Sequence, residues 1–533
     1  MYDHLEVEKK WQKYWADHET FKTDVWDFSK PKFYALDMFP YPSGVGLHAG
    51  HPEGYTATDI VSRMKRMQGY NVLHPMGYDS FGLPAEQYAV QTGNNPNGFT
   101  QTNIKTFTKQ LQELGFDYDW SKMIATSDPE FYHWTQWIFK QLYKDGYAKY
   151  VDMPVNWCEE LGTVLSNDEV IDGKSERGGY PVIRKNMKQL CIDQAAFAER
   201  LLEGLNEIDW PESTKEMQRN WIGRSTGVEV QFEIVGGGKF SIFTTCIETI
   251  YGITFMVLAP DGDLVQELMP RIKNQDEVKA YIQETVSKSE MDRTELNKGK
   301  TGCRLEGIKA INPVNGREVE VFIGDFVLAN YGTGAVMAVP SHDQRDFEYA
   351  IAHNIDRIQV IEGRDVSEHA FEKQDYLGKG CKLINSEEFT GLTVEEAKVA
   401  ITKKLVDMGI AKETVNYRFR EWIFARQRYW GEPVPIVHLE DGTDYVLPDE
   451  ELPLILPEVE DYKGHNGKAP LENATEWKQY NQNGVKGVRE TSTMPGSAGS
   501  SWYYLRYIDP HNDKQLADPE LLKHWMPVDL YVG

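Results

Sequence analysis

Between Phe33 and Gly54 the chain reads FYALDMFPYPSGVGLHAGHPEG, a short apolar run stopped by prolines and glycines and followed by two histidines. No other stretch restricts the fold as strongly. Phe33, Ala35, Leu36, Met38 and Phe39 fill one strand length, and Pro40, Pro42, Gly44 and Gly46 forbid its continuation. From about His51, Ile60, Met64 and Met67 recur at three to four residues until Gly69, which predicts an amphipathic helix. A strand, a Gly-rich turn and a helix aim unpaired N–H groups beyond the strand's carboxyl end, the generic geometry for holding phosphate. The stretch lacks both the Gly-Lys-Ser/Thr of a P-loop and the GxGxxG of a dinucleotide fold. His48 and His51 share one face of the first helical turn, where imidazoles can donate to phosphate oxygens. The pair alone equally allows a helix cap beside an ordinary surface histidine.

With 533 residues the chain calls for two or three domains, and its apolar fraction of 41% is that of a globular protein. The N-terminal MYDHLEVEKKWQKYW is a charged amphipathic segment without a signal-peptide core, and no apolar stretch spans a bilayer, so a soluble cytoplasmic protein without membrane contact is expected. Cys158, Cys191, Cys246, Cys303 and Cys381 are widely spaced free thiols. A formal charge of −25 opposes a surface that grips nucleic acid everywhere, so any RNA contact is local.

Residues 1–155 alternate strand and helix signals, as a doubly wound parallel sheet does. NVLHPMGYDSFGLPAE (Asn71–Glu86) reads as a second strand-like run, in which Asp79 is either a turn residue before Gly82 or a functional carboxylate. Residues 156–186 form a small polar, Gly-rich module with a lone Cys158. A helix is expected from Met187 to Leu205, within a connecting segment, 187–227. Residues 228–415 change to strand runs and turns, as an independently folded insertion would. There, Thr244, Thr245 and Thr249 with Asp343 and Asp346 line a polar pocket or, as the residues alone favour, form a Thr-rich strand and a helix with Asp343 at its N-cap. Residues 416–436 return to the first domain and interleave Arg418, Arg420, Arg426 and Arg428 with aromatics, suited to phosphate and base contact or to a solvated helix face. Residues 437–488 are an appended polar insertion, and 489–533 the last part of the first domain.

MFPYPSGVGLHAGH resembles the HIGH signature of the class I aminoacyl-tRNA synthetases, and the preceding Met-Phe-Pro-Tyr-Pro-Ser-Gly resembles their leucyl branch. GYDSFGLPAE, the Thr-rich FTTCIETIYG, GTGAVMAVPSHDQRD, RQRYWGEPVP and VRETSTMPGSAGSSWYYLRY continue the resemblance in the family's order over nearly the whole chain. It implies a Rossmann-like doubly wound parallel sheet interrupted by an inserted, β-rich mixed α/β editing domain. His48 and His51 would hold ATP, used with Mg²⁺ as substrate, and stabilise charge at the α-phosphate. Asp79 would pair with the α-amino group of leucine, with Met38, Phe39, Tyr41, Ser497 and Tyr503 around it. In the insertion, Asp346 would anchor a mischarged residue beside Met337 and Asp343, Thr244 and Thr245 would position ester and water, and Thr249 would reject leucine. Arg426 and Arg428 would lie near RNA or ATP. Two departures stand out. Cys246-Ile247-Glu248 replaces the Arg-Pro-Asp of many relatives, and Cys158 lacks the partners of the family's zinc ribbon, so no metal is expected. The resemblance implies a leucine–tRNA ligase acting on tRNA(Leu), leucine and ATP, with hydrolytic editing, and a monomer. An isoleucyl or valyl enzyme, or an editing or RNA-binding fragment without ligase activity, stays open. The second signature, KMSKS, and an anticodon-binding domain are absent from these residues, as in an N-terminal portion of the enzyme.

Overall fold

A computed structural model describes residues 3–42, 44, 46–166, 169–171, 173–286, 293, 301–329, 333–419, 421–464 and 468–533. Arg420 and Asn330 to Gly332 lie outside them. The chain forms two compact units, one of Met1–Val164, Asn186–Ile192 and Trp422–Gly533, the other of Leu165–Lys185 and Asp193–Glu421.

In the first unit Lys32–Asp37 is the central strand of a parallel sheet, flanked by Asn71–Leu73 and Leu530–Val532. Its register, Phe33 on Val72 and Ala35 on Leu530, brings the two ends of the sequence together on one strand. Tyr34, Leu36, Leu73, Met76, Trp502, Tyr507 and Trp525 pack beneath it. The helix Gly50–Met67 forms where periodicity predicts, but with its apolar stripe turned out: Ile60, Met64 and Met67 are 62%, 44% and 82% exposed. Tyr55, Thr58 and Ser62 face inward instead. The reason is a polar cluster under the helix, where Thr58 donates to Asp37 at 2.7 Å. Asp37 also accepts from Tyr118 at 2.7 Å. His74, wholly buried, lies between Asp37 (3.0 Å) and Asp117 (2.6 Å). Burial opposes its charge, but the two carboxylates outweigh burial and push its pKa up to about 9.

Three sequence expectations need correction. The strand at Asn71 ends at Leu73, and the next helix opens at Leu83 rather than after Glu86. The first six residues of the helix expected over Met187–Leu205 belong to a strand, Ile183–Ile192, whose buried end pairs with Trp422–Ile423; α-helix begins only at Ala198. No basic-aromatic helix exists between Asn416 and Ile436 among the described residues.

The second unit is built on a seven-stranded sheet in the order Ala335–Ala338, Phe255–Leu258, Glu318–Gly324, Gly302–Ile311, Ser225–Ile234, Ala411–Asn416, with Lys239–Thr244 also paired to Ser225–Ile234. Only Phe255–Leu258 and Glu318–Gly324 run parallel. Ser225 pairs with Asn416, so the chain enters and leaves this sheet on neighbouring strands, as an inserted domain must. Val230, Phe232, Ile250, Val321 and Ile401 belong to its core. No helix among the described residues is long and apolar enough to cross a membrane.

Two candidate active sites

At the carboxyl end of the strand Lys32–Asp37, the turn into the helix Gly50–Met67 is tied down from outside. Gln110 accepts from the Leu47 N–H at 2.7 Å, and Asn103 donates to the Pro42 carbonyl at 2.8 Å. A Cβ on Gly46 would lie 2.6 Å from Gln110 Nε2, so a larger residue there would push the Gln110 amide from its place on the Leu47 N–H. Ala49 at the N-cap offers no side-chain cap, and His48 takes its place: the His51 N–H donates to the His48 carbonyl at 3.1 Å, and Pro52 has no N–H, so the free first-turn donors expected from the sequence are not there. The histidine rings sit 3.8 Å apart. The Gly50 N–H donates to His48 Nδ1 and the His48 N–H to His51 Nδ1, both at 3.1 Å. A backbone donor at Nδ1 places the ring proton on Nε2, so each histidine presents an Nε2–H donor away from the backbone. Burial and the neighbouring His48 hold the pKa of His51 below its ordinary value, favouring the neutral ring.

Asp79 is fixed by its own N–H, which donates to the Pro40 carbonyl at 3.1 Å. Its carboxyl is 4% exposed and meets hydroxyls rather than a cation, with Thr126 Oγ1 at 3.3 Å and Tyr41 and Ser500 beside it. Burial pushes its pKa up to about 7, against those hydrogen bonds. Phe39 stacks on Tyr503, ring centroids 4.0 Å apart and planes 4° off parallel, while Met38 and Tyr41 are half-exposed beside them and Ser497 is exposed at the start of the short helix Ser497–Ser500. One carboxyl here has no counterpart in the sequence reading: Glu432 is fully buried against the Gly499 backbone, near enough to Asp79 for their charges to oppose, and burial holds its pKa well above the ordinary value. Arg426 and Arg428 are 4% and 7% exposed. Arg426 donates to the carbonyls of Ile423 and Ala425, so at neither position does a guanidinium face solvent for RNA. Cys158 is buried at the end of the strand Ala148–Cys158.

In the second unit the Thr-rich segment is a strand only as far as Thr244, and Ile247–Gly252 is a 3-10 turn. Thr244 Oγ1 accepts from the Cys246 N–H at 3.0 Å, and buried Thr249 donates to the Cys246 carbonyl at 2.8 Å. Gly252 lies against Val339, whose N–H donates to Asp346 Oδ2 at 2.9 Å. That chain of contacts joins Thr249, the strand Ala335–Ala338 with half-buried Met337, and Asp346 in the first turn of the helix Gln344–Ala352. Asp343 is the N-cap of that helix, accepting from Arg345 and Asp346 N–H groups at 2.9 and 3.0 Å, so its carboxylate serves the backbone. His342 is also structural: its ring bridges the Phe371 carbonyl and the Val360 N–H at 3.0 Å each, and burial holds its pKa down to about 4. Sequence reasoning passed over Lys373 and Lys398, which reach Thr245 at 3.5 and 3.0 Å. They lie 128 and 153 residues away from it, and only the fold brings them there.

Residues 10–245 match the family model "tRNA synthetases class I (I, L, M and V)", and residues 219–406 match "Leucyl-tRNA synthetase, editing domain". Among solved structures the chain is similar to the LeuRS of a ternary complex, Agrobacterium radiobacter K84 agnB2 LeuRS with tRNA and LeuAMS, at 33% identity and a TM-score of 0.83. The likeness covers 100% of this chain and 63% of that one.

Proposed function

The chain belongs to the leucyl branch of the class I aminoacyl-tRNA synthetases, and from that premise we propose that it carries the leucine-activating and the editing sites of a leucine–tRNA ligase. In the first unit, leucine lies with its α-ammonium on Asp79 and its side chain towards the Phe39–Tyr503 stack. Its carboxylate attacks the α-phosphorus of ATP, supplied with its Mg²⁺; pyrophosphate leaves and leucyl adenylate remains. The Nε2–H groups of His48 and His51 donate to the phosphate oxygens as charge builds on them. The terminal ribose hydroxyl of tRNA(Leu) then attacks the adenylate carbonyl and AMP leaves.

A pocket that measures one methylene separates its competitors by only about 1–3 kcal/mol, the general reason why synthetases for small apolar side chains need a second, hydrolytic sieve. In the second unit Asp346 takes the α-ammonium of a misattached residue, Thr244 and Thr245 place the ester and the attacking water, and Thr249 occupies the space that leucine's branched end requires. The Cys158 module does its work without zinc, and the protein is a cytoplasmic monomer.

The observation that carries this reading is the pair of imidazoles with both Nδ1 atoms occupied by backbone donors, set beyond the strand Lys32–Asp37, where the Pro40 carbonyl also holds the Asp79 N–H. The test is leucine-dependent exchange of pyrophosphate into ATP by this chain, and by a chain extended to the full length of the similar structure, with His48 and His51 intact and replaced. Exchange that survives the double replacement in the extended chain sinks it.

A further inference from the structure

Around Thr245 in the second unit stand two cations that this reading leaves unused. Lys373, in the short helix Lys373–Tyr376, brings Nζ to 3.5 Å from Thr245 Oγ1, and Lys398, in the helix Val394–Asp407, donates to the Thr245 carbonyl at 3.0 Å. Two separate helices therefore converge on one residue of the Thr-rich segment. Both lysines are half-buried, and among the described residues neither has a carboxylate within ion-pair distance, in a chain of net charge −25. The carboxylates on the same elements are engaged elsewhere: Asp375 faces Arg364 at 3.4 Å, Glu372 accepts from Gln344 and Gln374, Glu395 accepts from the Gly378 N–H, and Glu396 caps its own helix. The one acid that faces both lysines is Glu248. It is fully buried, accepts from the Tyr376 hydroxyl at 3.2 Å through Oε1, and leaves Oε2 without a partner; burial raises its pKa while the lysines act against that rise from a distance.

Two half-buried ammonium groups with no carboxylate within ion-pair distance among the described residues, next to threonine hydroxyls, make a ready site for a multi-oxygen anion. Lysine, a compact point charge with rotatable donors, accepts a tetrahedral phosphate in many orientations, whereas a carboxylate is better matched by the planar fork of arginine. On the deacylase reading above, the ligand here is an amino-acid ester of an RNA 3′ end, whose only fixed anions are phosphodiesters. We propose that Lys373 and Lys398 form an anion subsite that holds a phosphodiester next to the terminal nucleotide of that RNA, and so present its ester to Thr244, Thr245 and Asp346. The proposal rests on the deacylase reading for its ligand but on the two lysines for its existence.

The test uses the full chain with Lys373→Met, Lys398→Met and the double variant. One probe is the fluorescein-labelled trinucleotide cytidylyl-cytidylyl-adenosine at two salt concentrations, the other mischarged tRNA(Leu). The double variant should weaken trinucleotide binding and raise the KM for deacylation about tenfold or more, the scale of two lost charge-assisted contacts, with a flatter salt dependence. The kcat for deacylation should hold, and Lys398→Arg should restore binding. Equal affinity and equal salt slope in parent and double variant would overturn the proposal and leave the lysines as counter-charges for Glu248. If the parent hydrolyses no mischarged tRNA while the double variant still loses the trinucleotide, the deacylase reading falls and the subsite stands. If the parent hydrolyses it and the double variant keeps the parental KM, the subsite falls and the deacylase stands.

Discussion

Asp79 in the first unit and Asp346 in the second are assigned the same task, holding an α-ammonium, and the protein prepares them differently. Asp79 is surrounded by hydroxyls and almost wholly buried, which pushes its pKa up to about 7. Asp346 receives a backbone N–H from Val339 and lies in the first turn of a helix, where the dipole favours a negative charge. One carboxylate waits for its cation to complete its solvation; the other is held by its fold before any ligand arrives. On the proposed roles, a site for a free amino acid would tolerate dependence on its ligand, whereas a site for a tethered ester would gain from being set in advance.

The largest test of the contrast is to remove each carboxylate. Asp346→Ala strands the cation of the misattached residue and should lower deacylation of mischarged tRNA by on the order of 10²–10³, leaving leucine-dependent exchange intact; Asp79→Ala should do the reverse. If either variant damages both assays equally while circular dichroism shows a folded protein, the division of labour is wrong. Replacing His48 and His51 together by Asn should lower the exchange turnover by about 10²–10³ in the extended chain, with deacylation untouched, which separates the phosphate donors from the second unit. Thr249→Ala should raise hydrolysis of correctly charged leucyl-tRNA by about tenfold or more, a gain that general destabilisation cannot imitate. Equal rates in parent and variant would reduce the Thr-rich turn to a structural element.

The smallest effect is in the pH profile. The α-ammonium pairs with ionised Asp79, and a carboxyl raised to about 7 loses that form as pH falls through 7. The kcat/KM for leucine in exchange should therefore fall about tenfold per pH unit below about 7. A flat profile from pH 5 to 8 would show that Asp79 ionises normally.

How much of this was legible in the sequence depends on the kind of evidence a residue leaves. Strand, turn and helix from Phe33 to Met67 were readable because prolines, glycines and periodicity act locally. The helix face was not. Ile60, Met64 and Met67 promised a buried stripe, but Asp37 and its buried neighbours Tyr118 and His74 draw Thr58 inward, and nothing in the local pattern announces that tertiary demand. Asp343 shows both sides: its N-cap role was foreseen from the residues alone, and the structure gives that role to its carboxylate. Arg426 looked like a phosphate ligand because basic residues among aromatics fit that description, whereas its guanidinium is turned to backbone carbonyls. Glu432, Lys373 and Lys398 had no local signal at all, since what distinguishes them is which distant residues surround them, Asp79 for the first and Thr245 for the lysines, and that is a property of the folded chain.

The occupied Nδ1 atoms of His48 and His51 have a consequence for turnover. Rings pinned this way are dipolar donors rather than cations, so they add little Coulombic attraction for a triphosphate at rest. On the role proposed for them, their hydrogen bonds would strengthen as electron density moves onto the phosphate oxygens during attack, and slacken again once pyrophosphate has formed. Lysines in their place would grip substrate and product alike, and slow departure would offset the faster chemistry. A neutral clasp favours the fleeting state over both of the lasting ones, and lets the product go.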